Sequence, residues 1–233
     1  MKELEDYQWF PNWLRHYQIT FIGYISVKML LFKPLINIIN NLPPIANWVD
    51  LCSGSGLPAS YNYQKTAINV PLTYTEKFPI NKKVTYLDVL NHTYMPNTLY
   101  TMYNSWHHFN NKEQKAIVTN ISNKKAPFII IELLQPNIIY ILKVFFAATV
   151  GQLIFAPFVT PFSIKRLFFT YIIPLNLVTV LIDGIISVIK ANSTKQMMQF
   201  ALENSSALYS IKYITLPCNY FNKIYILKGE ALA

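Results

Sequence analysis

Hydrophobic residues recur at three-to-four spacing from residue 4 to about 46, through Trp9, Trp13, Tyr17, Phe21 and Tyr24 and on to Val27, Leu30 and Leu31. That period predicts helices. Pro34 breaks or kinks the rhythm, and Pro43-Pro44 end it. From Asn47 the pattern changes to short apolar runs divided by turns, at 47–51, 67–72, 84–89, 98–103 and 128–134, with a helical period over 111–121. Short buried strands alternating with helices predict a mostly parallel sheet in an α/β domain. The stretch from Gln135 to about 208 is strongly apolar and longer than a crossover requires. Residues 209–216 and 223–229 flank a Pro-Cys-Asn turn and read as a closing antiparallel pair. The chain divides into a helical cap over 1–46 and an α/β domain over 47–233 that carries an apolar helical insertion at about 135–208.

Composition sharpens this picture. Of 233 residues 52% are hydrophobic and 13% charged, and 20 basic side chains against 11 acidic ones give a net charge of +9. Such a chain is too apolar for disorder. Basic and greasy together, it points to a membrane surface or a lipid-like ligand. Cys52 and Cys218 form no CxxC, so neither a zinc knuckle nor a disulfide framework is indicated. The acidic, aromatic start MKELEDYQWFPNW lacks the apolar core of a secretory signal. A cytoplasmic location follows, extended to the inner face of the membrane by the apolar insertion.

Within the insertion, residues 137–158 and 166–189 approach the length of a bilayer span. Lys143, Gln152, Asn176 and Asp183 interrupt them, Pro174 divides the second, and the last strands must return to the same sheet. The expectation is helices that cover a pocket and dip into the membrane interface, with Lys165-Arg166 facing lipid phosphates. Simple burial, a homodimer contact and full spanning are the competing readings.

The most informative segment is NWVDLCSGSGLPAS, 47–60. A strand ends at Asp50, a turn carries Cys52, Ser53, Gly54 and Gly56, and a helix can then begin. Side-chain-free positions let a ligand approach the backbone closely, and a helix start offers free amides. Glu76 follows about twenty residues later at the end of the second strand, where a carboxylate commonly grips ribose hydroxyls. Asp88 ends the third strand. No Lys-Ser/Thr pair follows the glycines, which excludes a Walker A loop, and the turn lacks the third glycine of a dinucleotide fingerprint.

These residues resemble the class I S-adenosylmethionine-dependent methyltransferases. Asp50, Gly54 and Gly56 match that family's first motif, although Cys52 stands where many members have a glycine. The strings WLRHYQITFIGY, DLCSGSG, TEKFP, NSWHHF, RLFFTYIIPL and DGIISVIK are similar to a bacterial subgroup of these enzymes. The resemblance implies a Rossmann-like, mostly parallel seven-stranded sheet with an antiparallel C-terminal strand. It implies S-adenosylmethionine as cofactor, held by the 52–56 turn, with ribose on Glu76 and adenine at Asp88-Val89. It also places Asn104 and Ser105, after the fourth strand, beside the cofactor, and starts the substrate pocket at Trp106.

Candidate chemistry follows. Methyl transfer needs near-attack geometry, and a base only where the acceptor must lose a proton. His107 and His108, at the carboxyl edge of the sheet, are the candidate bases, since an imidazole titrates near neutrality. The alternative is a helix cap and a core side chain. A metal would need a third ligand, and His16 and His92 have no spacing that supplies one, so no metal is expected. Glu132 faces the crevice or pairs with Arg166 or Lys165. Asp183, isolated in an apolar run, must be paired, exposed or functional. Trp13, Tyr17, Arg166 and Tyr171 complete the substrate-pocket candidates, with Arg15 and His16 at its rim, against the plainer reading of an amphipathic packing helix. The reading is a methyltransferase acting on a small hydrophobic or lipid-like molecule. The alternatives are a non-catalytic cofactor-binding or membrane-associated scaffold or sensor, and, more remotely, a nucleic-acid enzyme. Scattered lysines and the absence of a base-directed signature after the fourth strand leave nucleic acid without support.

Overall fold

Continuous apolar runs become buried strands in the computed structural model, which describes residues 1–79, 82–219 and 221–232. Helices α1 (Asn12–Lys28) and α2 (Leu35–Asn40) lead into β1 (Asn47–Leu51), α3 (Leu57–Lys65), β2 (Leu72–Glu76), β3 (Val84–Tyr86) and β4 (Thr98–Tyr103). Then come α4 (Asn111–Ser122), β5 (Phe128–Glu132), the insertion, and finally β6 (Tyr209–Pro217) and β7 (Lys223–Ala231). One seven-stranded sheet has the order β3-β2-β1-β4-β5-β7-β6. Six strands share a direction, and β7 opposes both its neighbours. Every residue of β4 and β5 is buried, as expected where helices cover both faces of a parallel centre. The sheet is thus the one the resemblance implies.

Three local expectations shift. The third strand, expected over 84–89, stops at Tyr86, so Asp88 lies beyond its end. The second strand is LTYTE, not the apolar run at 67–72, because pairing with β1 begins only at Pro71, whose carbonyl accepts from the Trp48 amide. Residues 1–11 do not join the helical cap. α1 begins only after Pro11, and the first ten residues form a strap with a single 3-10 turn at Leu4–Asp6.

The insertion holds α5 (Ile138–Phe146), α6 (Gln152–Phe155), α7 (Ile164–Tyr171), α8 (Leu175–Lys190) and α9 (Thr194–Asn204). A π-helical turn joins α5 to α6. Its pattern is inverted. Gln152, Arg166, Thr170 and Asn176 are buried, whereas Ile139, Leu142, Phe146, Ile154, Phe168 and Ile172 are exposed. Among the described residues one helical stretch, Ile138–Phe158, is long and apolar enough to cross a membrane, and α7 with α8 would form a second, bent by 75°.

Candidate functional site

The turn after β1 is shaped by Asp50 from behind. This side chain is 1% exposed and accepts from the Thr101 hydroxyl at 2.7 Å, and Thr101 Oγ1 accepts in turn from the Trp48 indole at 2.8 Å. Burial pushes the Asp50 carboxyl up to about 7. The Asp50 carbonyl accepts from the hydroxyls of Ser53 and Thr75 at 2.7 and 2.8 Å, so the turn is stitched to β2. Cys52, Gly54 and Gly56 all have positive φ, at 51°, 54° and 70°. A Cβ at Gly54 would stand 2.9 Å from Ile19 of α1, and one at Gly56 would stand 3.0 Å from the Tyr74 ring. Glycine is required there on both conformational and steric grounds.

Glu76 closes the loop. Its Oε2 accepts from the Gly54 amide at 3.0 Å and its Oε1 from the Lys77 amide at 2.9 Å, while burial raises its pKa. Two residues beyond β3, Asp88 caps the 3-10 turn Val89–Asn91 through the Leu90 amide at 3.1 Å. A crevice of about 920 Å³ opens here, at the carboxyl ends of the strands. Cys52, Gly54, Glu76, Asp88, Val89, Ser105, His107 and His108 line it. Asp50, Ser53, Gly56 and Asn104 do not. Asp50, Ser53 and Gly56 shape the turn from below, and Asn104 ties β4 to β5 by accepting from the Leu133 amide at 3.0 Å. They position the site.

The two histidines differ. His107 is buried and its Nδ1 lies 2.8 Å from Glu132 Oε2, while Glu132 Oε1 accepts from the Trp106 amide at 2.7 Å. Glu132 therefore fixes the His107 ring, and is not a partner of Arg166 or Lys165. His108 Nδ1 lies 3.1 Å from Asp6 Oδ1. Burial alone would lower the pKa of His108, but the bond to Asp6 and the charges of Glu3, Asp6 and Glu5 outweigh it and raise it to about 9. A histidine held protonated at neutral pH is a poor base.

The strap is what the sequence reading missed. Glu3 is buried, with Lys190 Nζ 3.2 Å from its Oε1, and Glu5 and Asp6 line the crevice. Arg15 also lines it, donating to the carbonyls of Glu5 at 3.0 Å and Tyr7 at 2.8 Å. Three acids within the first six residues of a basic chain were the available signal.

The remaining substrate-pocket candidates lie elsewhere. Trp106 is a core side chain against Phe200. Trp13 packs on Phe169 beneath the Lys165 ammonium, and the Tyr17 hydroxyl is 3.0 Å from Ser163 Oγ. Arg166 is 1% exposed and donates to the Val159 carbonyl at 2.7 Å, so it faces no lipid phosphate. The Tyr171 hydroxyl is taken by the Leu153 carbonyl. Asp183 accepts from the Leu4 and Glu5 amides at 2.6 and 3.3 Å and so moors the strap. Most of these polar groups in the greasy stretch find protein partners rather than facing the crevice.

No protein-family model and no curated protein sequence matches the chain. Solved structures do. The mitomycin 7-O-methyltransferase MmcR aligns over 91% of this chain at 13% identity and a TM-score of 0.53, and the pyocyanin biosynthetic protein PhzM over 90% at 10% identity and 0.51. The chain spans 55% and 56% of those proteins. These likenesses establish the fold.

Proposed function

We propose that the chain is an S-adenosylmethionine-dependent methyltransferase whose acceptor is a small hydrophobic or lipid-like molecule met at a membrane surface. The bond from the Gly54 amide to Glu76 carries this reading. In a phosphate cradle that amide would stay free for an anion, whereas here the turn presents a carboxylate. Glu5, Asp6, Glu76, Asp88 and Glu113 line the crevice, and Glu3 and Glu132 touch His107, so seven of the chain's 11 acids gather at one place. Only five of its 20 basic residues, Lys2, Arg15, Lys77, Lys112 and Lys190, line the same crevice. That balance opposes a nucleotide with phosphates and favours a cationic nucleoside. The donor set fits the cofactor: Glu76 would hold the ribose hydroxyls, and Asp88 with Val89 would hold the adenine.

When bound, S-adenosylmethionine supplies a methyl group on a sulfonium, open to in-line displacement. The side chains do the rest. Glu132 holds Nδ1 of His107, leaving Nε2 to receive the proton of an acceptor hydroxyl or amine. The strap and α1 border the crevice through Glu5, Asp6, Arg15 and Ile19, and exclusion of water there would favour the displacement. The fold shared with an O-methyltransferase favours oxygen as the acceptor atom. Calorimetry tests the cofactor. One equivalent of S-adenosylmethionine or S-adenosylhomocysteine is expected to bind, and ATP is not; tight ATP binding or no response to either sulfur ligand would end the proposal.

The surface part of the reading rests on the inverted insertion. Polar groups pair inside it while large apolar side chains cover its outside, the arrangement suited to contact with hydrocarbon rather than water. Both ends return to the sheet, which suits helices lying in the interface. Flotation with vesicles of phosphatidylglycerol and phosphatidylcholine is expected to carry the protein up. Phe146→Glu with Ile172→Glu should reduce the floated fraction by about tenfold or more, as two charges are forced toward the acyl region. Equal flotation would refute it.

A further inference from the structure

Glu3, His107 and His108 bring one ligand atom each within 4.8 Å of one another. The two rings are oriented alike. Each gives its Nδ1 to a carboxylate, His107 to Glu132 at 2.8 Å and His108 to Asp6 at 3.1 Å. In His107 a proton shared there leaves Nε2 a lone pair, while His108, charged without an ion, gives up its Nε2 proton as the ion binds. Both Nε2 atoms turn toward Glu3, at 3.8 Å from Oε1 and 3.5 Å from Oε2. Those gaps are long for hydrogen bonds. Bonds of about 2.0–2.2 Å in tetrahedral array set ligand atoms about 3.3–3.6 Å apart, which the 3.5 Å gap meets and the 3.8 Å gap exceeds by only a small side-chain adjustment. A carboxylate behind each imidazole is the usual outer shell of a metal-bound histidine. The Lys190 ammonium, 3.2 Å from Glu3, already balances this cluster with positive charge, at the end of a flexible side chain that a dication can displace.

We propose that Glu3, His107 and His108 form a site for a divalent transition metal of the zinc class, with the fourth position open toward Glu5 and the crevice. Two imidazoles and one carboxylate select such ions over magnesium or calcium. The site differs from a resident structural zinc centre in that one ligand comes from the strap, so the ion fastens the strap over the crevice. It also occupies the Nε2 that the proposed function gives to proton transfer, making the metal-bound form the closed and silent one. That last consequence rests on the methyltransferase reading; metal binding does not.

The test is a titration of metal-free, full-length protein, without methyl donor, using Zn2+ in calorimetry and Co2+ in visible absorption. One equivalent should bind, and Co2+ should give the d–d bands of a tetrahedral nitrogen and oxygen site without thiolate charge transfer. Glu3→Gln, a near-isosteric change on the strap, should weaken binding at least about tenfold, and Glu132→Gln by about 10–100-fold through the outer shell. Cys218→Ser should leave it unchanged. Zinc should also slow hydrogen exchange at the Leu4 and Glu5 amides. Absence of stoichiometric binding would overturn the site, as would binding that survives Glu3→Gln intact or disappears with Cys218→Ser. If Glu132→Gln fails to fold by circular dichroism, Glu3→Gln alone decides. A protein that binds zinc but no sulfur ligand would sink the proposed function and keep the site.

Discussion

Replacing Glu76 with alanine is expected to reduce affinity for S-adenosylmethionine by at least about a hundredfold. Hydrogen bonds to a charged group contribute about 1.5–3 kcal/mol each, and this carboxylate is placed to accept two from a ribose. It also anchors the turn, since Gly54 at φ 54° is held by its 3.0 Å bond to Oε2. Alanine removes both contributions together. Glu76→Gln keeps the volume and one oxygen that can accept from Gly54, so its loss should be smaller, about tenfold. Calorimetry on the three proteins separates the outcomes, with circular dichroism to establish that each is folded. An alanine variant that binds the donor within about threefold of the parent would remove Glu76 from the site and the account with it.

The second large effect concerns stability. Trp48 is fully buried on β1, packs edge-on to Tyr63, and starts the relay through Thr101 to Asp50. Trp48→Ala should destabilise by about 3–5 kcal/mol through lost burial and the cavity left behind. For a domain of this size that lowers Tm by about 6–20 °C. Thr101→Val keeps the volume but strands a buried carboxyl oxygen and an indole N–H, at about 1–3 kcal/mol for each unsatisfied group. Chemical denaturation checks both, and a Trp48→Ala loss under about 1 kcal/mol would contradict the packing described. The pH response has a fixed sign. Asp50 is raised to about 7 in the folded chain from an ordinary 3.8, so its stabilising contribution is complete below the ordinary carboxyl range. That contribution fades as pH rises through 7. Asp50→Asn should flatten this part of the stability profile.

Sequence and structure agree best where local pattern and burial coincide. β1, β4 and β5 are legible because strands covered on both faces are mostly apolar, and Glu76 because its distance from the glycine turn is set by one helix and one strand. The β2 boundary slipped because Ala67–Val70 are as apolar as a strand yet lie ahead of Pro71. Arg166 departs from its expected place facing lipid phosphates for a different reason. In an ordinary amphipathic helix a lone polar residue marks the wet side, but the insertion turns such residues inward. The strap was invisible to periodicity, since one 3-10 turn has none. Glu3 meets His107 only through tertiary folding, and neither spacing nor motif predicts that meeting.

Helix α8 presents Val178, Ile182 and Ile189 outward, while Asp183 and Lys190 on the same helix grip the strap. Its sixteen residues form one uninterrupted helix. A slide of one helical turn, about 5.4 Å, would pull the Asp183 oxygens clear of the amides of Leu4 and Glu5. The helix whose outer flank carries the apolar side chains is thus the same one that moors the strap beside the crevice.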